Sequence, residues 1–139
     1  MIKKTIKFED FDGNQREEDF YFNLTQAELT NLVASVDGGL DKKMERIMQR
    51  RSAPEIMSTI REFIKASHGV KSPNGRNFLK SEEIYSDFES TEAYSTLFME
   101  LCTDGGAAAD FIRGIVPKDV RDRLEEVDTG GTPTLLAKS

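Results

Sequence analysis

The 139-residue chain has no tryptophan, one cysteine, one histidine and no apolar run long enough to cross a membrane, and each shortage removes a class of function. A lone thiol, Cys102, excludes an internal disulfide and an all-cysteine metal cage, and it fits a reducing compartment. A small apolar residue on a helix face is the simpler account of it. His68 has no second histidine to complete a zinc site, and its place beside Gly69 is read as a helix ending. Without these groups, the common nucleophile–base and metal-assisted sets have few members to draw on. No dinucleotide fingerprint, phosphate loop, EF-hand loop or zinc spacing occurs, and the abundant carboxylates sit where helix capping and solubility account for them. The chain is therefore read as a non-enzymatic binding module with no cofactor and no metal. A basic excess is also missing. Nineteen Lys and Arg stand against 25 Asp and Glu, a net charge of -6, which argues against nucleic acid as a partner. The start MIKKTIKFED lacks the apolar core of an export signal, so a protein of the cytosol is expected.

What is present is a thin supply of apolar residues, 37% against 32% charged, in a length that suits one domain. Ile2, Ile6 and Phe8 alternate with Lys3, Thr5 and Lys7. After the turn signal Asp12-Gly13-Asn14 the alternation resumes with Phe20, Phe22 and Leu24. A β-hairpin over residues 1–24 is predicted, its register left open by the long acidic turn. Helices or a second copy must cover its apolar face.

Helical periodicity follows over residues 25–127. Thr25 and Glu28 form a capping box for a helix to about Val36, stopped by Asp37-Gly38-Gly39. Leu40, Met44, Ile47 and Met48 stripe a second helix whose other face carries Lys42, Lys43, Arg46, Arg50 and Arg51. Pro54 opens a third, with Ile56, Ile60, Phe63 and Ile64 inward, ending near Ser67-His68-Gly69. Pro73-Asn74-Gly75 reads as a turn within a surface connector. Ser81 caps a short helix with Ile84, Tyr85 and Phe88 inward, and Thr91 caps one with Tyr94, Leu97, Phe98, Leu101 and Cys102 on one side and Met99 off it. Gly105-Gly106 separates this from a helix over Ala107–Val116, ended by Pro117. A last helix with Val120, Leu124 and Val127 precedes a tail, residues 128–139, without periodicity and expected to be disordered. The fold class is α+β and mostly α: a hairpin followed by a bundle of about five to seven short helices.

Most of these stripes belong to a core, but methionines at stripe edges give adaptable surface for varied apolar partners. A partner-facing subset is expected among Met57, Tyr94, Phe98, Met99, Phe111 and Ile112, with Met57 and Met99 foremost.

The hairpin-first layout, the stretch GVKSPNGRNFLKSEEIYSDFESTEAYSTLFMEL and the sequel AAADFIRGIVPKDV resemble the tail assembly chaperones of long-tailed bacteriophages of Gram-positive hosts, as far as about Val120. The resemblance implies a chaperone that binds and solubilises the tape measure protein and brings tail tube protein to it. It also implies a longer frameshift product of the same gene, of which this chain would be the short counterpart, with the junction near Thr129. It implies self-association, action in the host cytoplasm during infection, and absence from the mature virion. Two other classes compete with it. One is a small virion structural protein, a head–tail connector or tail completion protein, in which hairpins join sheets between copies. The other is a nucleic-acid-binding regulator using the basic helix from Leu40 to Arg51, which predicts salt-sensitive binding to DNA.

Overall fold

A computed structural model of the protein describes residues 1–33 and 53–122. The expected basic helix from Leu40 to Arg51, the stop at Asp37-Gly38-Gly39, Leu124, Val127 and the tail lie outside the described residues.

Strands β1 (Ile2–Glu9) and β2 (Gln15–Phe22) form the expected hairpin, in antiparallel register from Ile2↔Phe22 to Glu9↔Gln15. The acidic turn that left this register open closes on itself. Asp10 Oδ1 accepts the amides of Asp12 and Asn14 at 3.0 and 2.9 Å, and the Arg16 guanidinium binds the other Asp10 oxygen at 2.7 Å. Asx bonding of this kind supplies the turn that the backbone alone would have to form.

Helix α1 begins at Gln26 behind a complete capping box: Glu28 accepts the Thr25 amide at 2.9 Å, and Thr25 Oγ1 accepts the Glu28 amide at 3.2 Å. Its described part is Gln26–Val33. Helix α2 (Ala53–Ser67) then leads into a second hairpin, where a connector was expected. In it β3 (His68–Lys71) pairs with β4 (Phe78–Leu79) around the Pro73-Asn74-Gly75 turn. The helix ends at Ser67, within the expected stretch, and His68 and Gly69 are the first residues of the strand that follows it directly. Glycine is required at 69 by close approach, since a Cβ there would lie 2.7 Å from the Leu79 carbonyl oxygen and 2.8 Å from the Phe78 ring. The four strands lie in the order β1-β2-β3-β4, with every neighbouring pair antiparallel.

Helices α3 (Glu82–Glu89), α4 (Glu92–Thr103) and α5 (Gly105–Ile115) follow. Ser81, Thr91 and Asp104 cap them, each side chain accepting an amide of the first turn at 3.0 to 3.3 Å. Asp104 moves the start of α5 to Gly105, so the glycine pair expected to separate two helices is the first turn of the second. Residues 118–122 are helical again, and Val120 is buried.

One apolar cluster joins hairpin and helices. Phe22, Phe63, Ile64, Phe88, Leu97, Leu101, Ile112 and Ile115 are each at most 1% exposed within it. α4 and α5 pack on β1, which covers the hairpin's apolar face. Ile2 sits so tightly on Gly114 that a side chain there would occupy the same space. Each fully buried side chain of this size contributes about 1.5–3 kcal/mol.

Candidate functional site

Apart from Met1 and Phe11, the exposed large apolar side chains among the described residues fall in two regions. The first lies on α2 and α4. Tyr94 and Phe98, one turn apart on α4, stack with ring centroids 5.8 Å apart and planes 19° from parallel. Tyr94 in turn meets Tyr85 and Phe88 edge-on at 6.2 and 5.6 Å. Both residues of the stack are half-buried, while Met99 beside it is 52% exposed and Met57 on α2 is 42% exposed. Arg61, one turn after Met57, ion-pairs with Glu89 at 3.1 Å, and the Tyr85 hydroxyl donates to the same carboxylate oxygen at 3.1 Å. Burial, aided by the neighbouring Tyr94 hydroxyl, pushes the Tyr85 phenol well above its ordinary pKa, so this network keeps its protons at any physiological pH.

Of the six residues expected to face a partner, four keep surface in water on α2 and α4: exposed Met57 and Met99, half-buried Tyr94 and Phe98. Phe111 and Ile112 do not. They are 3% and 1% exposed on α5, and Phe111 packs edge-on against Phe22 at 5.2 Å, so in the isolated chain both belong to the core.

The second surface is a groove of about 700 Å³ between the sheet and α3. Its floor is Phe20, His68 and Phe88, with the His68 ring centred 4.6 Å from Phe88 and its Nδ1 3.1 Å from the Tyr21 carbonyl oxygen. Burial holds the imidazole below its usual pKa, against the opposing pull of the Tyr21 carbonyl and Asp87. Val70 and its cross-strand partner Leu79 are 47% and 48% exposed at the edge of this region. A clamp fixes the sheet end behind it. Lys80 Nζ donates to the carbonyls of Asn23 and Ala66, both at 2.7 Å, and to Glu28 at 2.8 Å. Burial raises the Glu28 carboxyl, but Lys80 and the Thr25 amide outweigh it and leave the group below its ordinary value.

Nothing in these surfaces assembles reactive groups. Among the described residues no three of His, Cys, Asp and Glu are placed to hold a metal ion. The Cys102 thiol is raised by burial, which disfavours the reactive thiolate. No helix among the described residues is long and apolar enough to cross a membrane.

A family model described as phage tail assembly chaperone matches residues 1–134. The chain belongs to the phage tail assembly chaperone family. Neither a curated protein nor a solved structure matches it. The match makes it a bacteriophage protein of tail assembly and points away from an enzymatic role.

Sequence reasoning about the chaperone missed the groove. Its residues Val70, Lys71, Ser72, Glu83 and Ile84, with the clamp Lys80, fall in or beside the stretch read as a connector. The available signal was the pair of short runs Gly69-Val70-Lys71 and Phe78-Leu79 flanking an Asn-Gly turn.

Proposed function

We propose that this chaperone is non-catalytic, and that it binds and solubilises the tape measure protein and promotes tail tube assembly around it. The observation that carries this is the α2/α4 face, where exposed Met57 and Met99 accompany a half-buried Tyr94–Phe98 stack. Polarisable methionine beside flat aromatic rings accepts apolar helical faces of varied sequence, and a tape measure protein is expected to offer many of these. A charge of -6 keeps such a complex soluble, and many copies along one client give avidity from individually weak contacts. Self-association, contact with tail tube protein, a longer frameshift product and absence from the mature virion belong to the same proposal.

The test is co-expression with a tape measure fragment, then pulldown and size-exclusion chromatography with light scattering. The fragment is expected to become soluble in a multi-copy complex. Met57→Asp, Met99→Asp and Phe98→Asp variants that keep the wild-type circular dichroism spectrum are expected to lose it. Equal binding by all three overturns this surface as the client site.

One observation favours a second reading, the virion structural protein. The outer side of β1 has no strand partner among the described residues, and copies joined there would form continuous sheets. Lys3, Lys4 and Lys7 on that strand oppose such joining, as edge lysines do in many sheets. Detection of the protein in purified virions decides for the structural reading.

A further inference from the structure

β2 and β3 pair at only two positions, Tyr21↔Gly69 and Phe22↔His68. Beyond them β3 turns aside to pair with β4, so from Gln15 to Phe20 one side of β2 has no strand partner among the described residues. The groove lies in this fork. A strand edge without a partner carries a row of amides and carbonyls at fixed spacing, which is what an added strand requires. Beside that edge Phe20 and Ile84 offer half-buried apolar surface, and Val70 offers more.

Charge selects the occupant. Asp19, Glu83 and Asp87 line the groove against one cation, Lys71, whose ammonium is engaged 4.6 Å above the Tyr21 ring. Asp19 is held by Thr5 at 2.6 Å and Lys3 at 3.9 Å. Glu83 and Asp87, both exposed on α3, have no ion pair or side-chain hydrogen bond among the described residues. We infer that the fork between β2 and β3 takes up an extended polypeptide segment of a partner protein, added as a strand along β2, with an apolar side chain over Phe20 and Ile84 and basic side chains reaching Glu83 and Asp87. Side chains two apart on a strand share a face, so the segment reads basic–x–apolar–x–basic and contains no proline. This surface is distinct from the α2/α4 face, and the inference stands whether or not that face binds a tape measure helix.

The probe is a fluorescein-labelled peptide, Thr-Lys-Thr-Val-Thr-Lys-Thr, titrated with the 139-residue chain at about 0.1 M salt, where charge contacts of this kind are still felt. Its analogue with Glu for Lys is expected to bind at least about tenfold more weakly, and so is the parent peptide on a Glu83→Gln/Asp87→Gln variant. Two further analogues carry N-methyl groups on one or the other alternate set of residues. Only the set facing β2 is expected to abolish binding. Exchange of those amides of Gln15–Phe20 that point away from β1 is expected to slow when the parent peptide binds. Equal affinity of both methylated peptides, equal affinity of the glutamate peptide, or amides of Gln15–Phe20 that point away from β1 already slow in the free protein each overturn the inference. The Met57→Asp/Met99→Asp variant separates the two surfaces: it is expected to bind the peptide as wild type does while failing to solubilise the tape measure fragment.

Discussion

One buried ring, Phe88, separates two surfaces that differ in almost everything else. Its centroid is 5.6 Å from Tyr94, at the helical face, and 4.7 and 4.6 Å from Phe20 and His68, at the groove. On the helical face the backbone is satisfied within α2 and α4, so only side chains are on offer, and the nearby charges are matched: Arg61 with Glu89 and Lys4 with Glu100. A partner's contacts there would be apolar and insensitive to register. At the groove one edge of β2 is itself available, and two carboxylates, Glu83 and Asp87, have no ion pair or side-chain hydrogen bond among the described residues. A partner's contacts there would have direction and sign. The difference teaches that exposed apolar area alone does not define a partner; the hydrogen-bonding state of the backbone beneath it and the balance of charge around it decide what shape can bind.

Removing the shared wall is the most severe way to break this comparison. Phe88→Ala deletes a 1%-exposed ring that touches Phe20, Phe22, His68 and Tyr94, and it is expected to cost about 3–5 kcal/mol. Urea unfolding monitored by circular dichroism checks it, and a loss under 1 kcal/mol on the order-of-magnitude scale of core truncations would mean that the two surfaces do not depend on this ring. Lys80→Met acts on one side only. It removes the donor shared by the Asn23 and Ala66 carbonyls and Glu28, and hydrogen bonds to a charged group are worth about 1.5–3 kcal/mol, so a loss near the middle of that range is expected. Amide exchange is expected to speed up in β3 and β4 and to stay unchanged in α4.

The elements that sequence patterning revealed are those whose local signal and tertiary setting agree. Thr25 with Glu28, Ser81 and Thr91 are caps by residue type and caps in space. Phe20 and Phe22 alternate because they belong to a strand covered on one face, and Leu24, buried just past its end, continues the pattern. The groove was hidden for a physical reason. β4 spans two residues, too few for any alternation to show, and β3 takes its identity from pairing with β2 at only two positions distant in sequence. His68 and Gly69 follow a helix directly, so a helix-stop reading used the same letters that the strand uses. Phe111 and Ile112 could not be sorted from Tyr94 and Phe98 by periodicity, because a stripe marks the inward side of a helix and not how deep that helix lies. The exposed methionines were legible, since both lie at the margins of their stripes.

Acid sharpens the comparison at a smaller scale. His68 is buried at the groove floor, with Asp87 raising its pKa and Lys80 lowering it, and the net shift is downward. A base whose folded pKa lies below its unfolded value is protonated first in the unfolded chain. Stability from this group is therefore complete above pH 6.5 and is lost as pH falls below it, at no more than about 1.4 kcal/mol per pH unit, the limit for one proton. Asp10 and Glu28, whose carboxyls are lowered, lose their contributions only below the usual carboxylate range, so the two effects separate on a pH series. His68→Phe is expected to flatten the slope between pH 6.5 and 5 and leave the acid limb in place. A slope unchanged by the substitution assigns it to another group.

The smallest effect on stability is expected where the effect on binding is greatest. Met57 and Met99 each keep about half their surface in water, so Met57→Gln and Met99→Gln exchange one flexible exposed side chain for another of similar length. Substitutions of this kind fall within about 0.5 kcal/mol. The polar amide nevertheless resists desolvation against an apolar helix, where the thioether would be gained as contact area. Unfolding midpoints within error of wild type, together with weakened capture of a tape measure fragment and unchanged affinity for the groove peptide, place client binding on the helical face alone. If the groove peptide is weakened as well, the two surfaces are coupled through Phe88, and the ring that separates them also transmits between them.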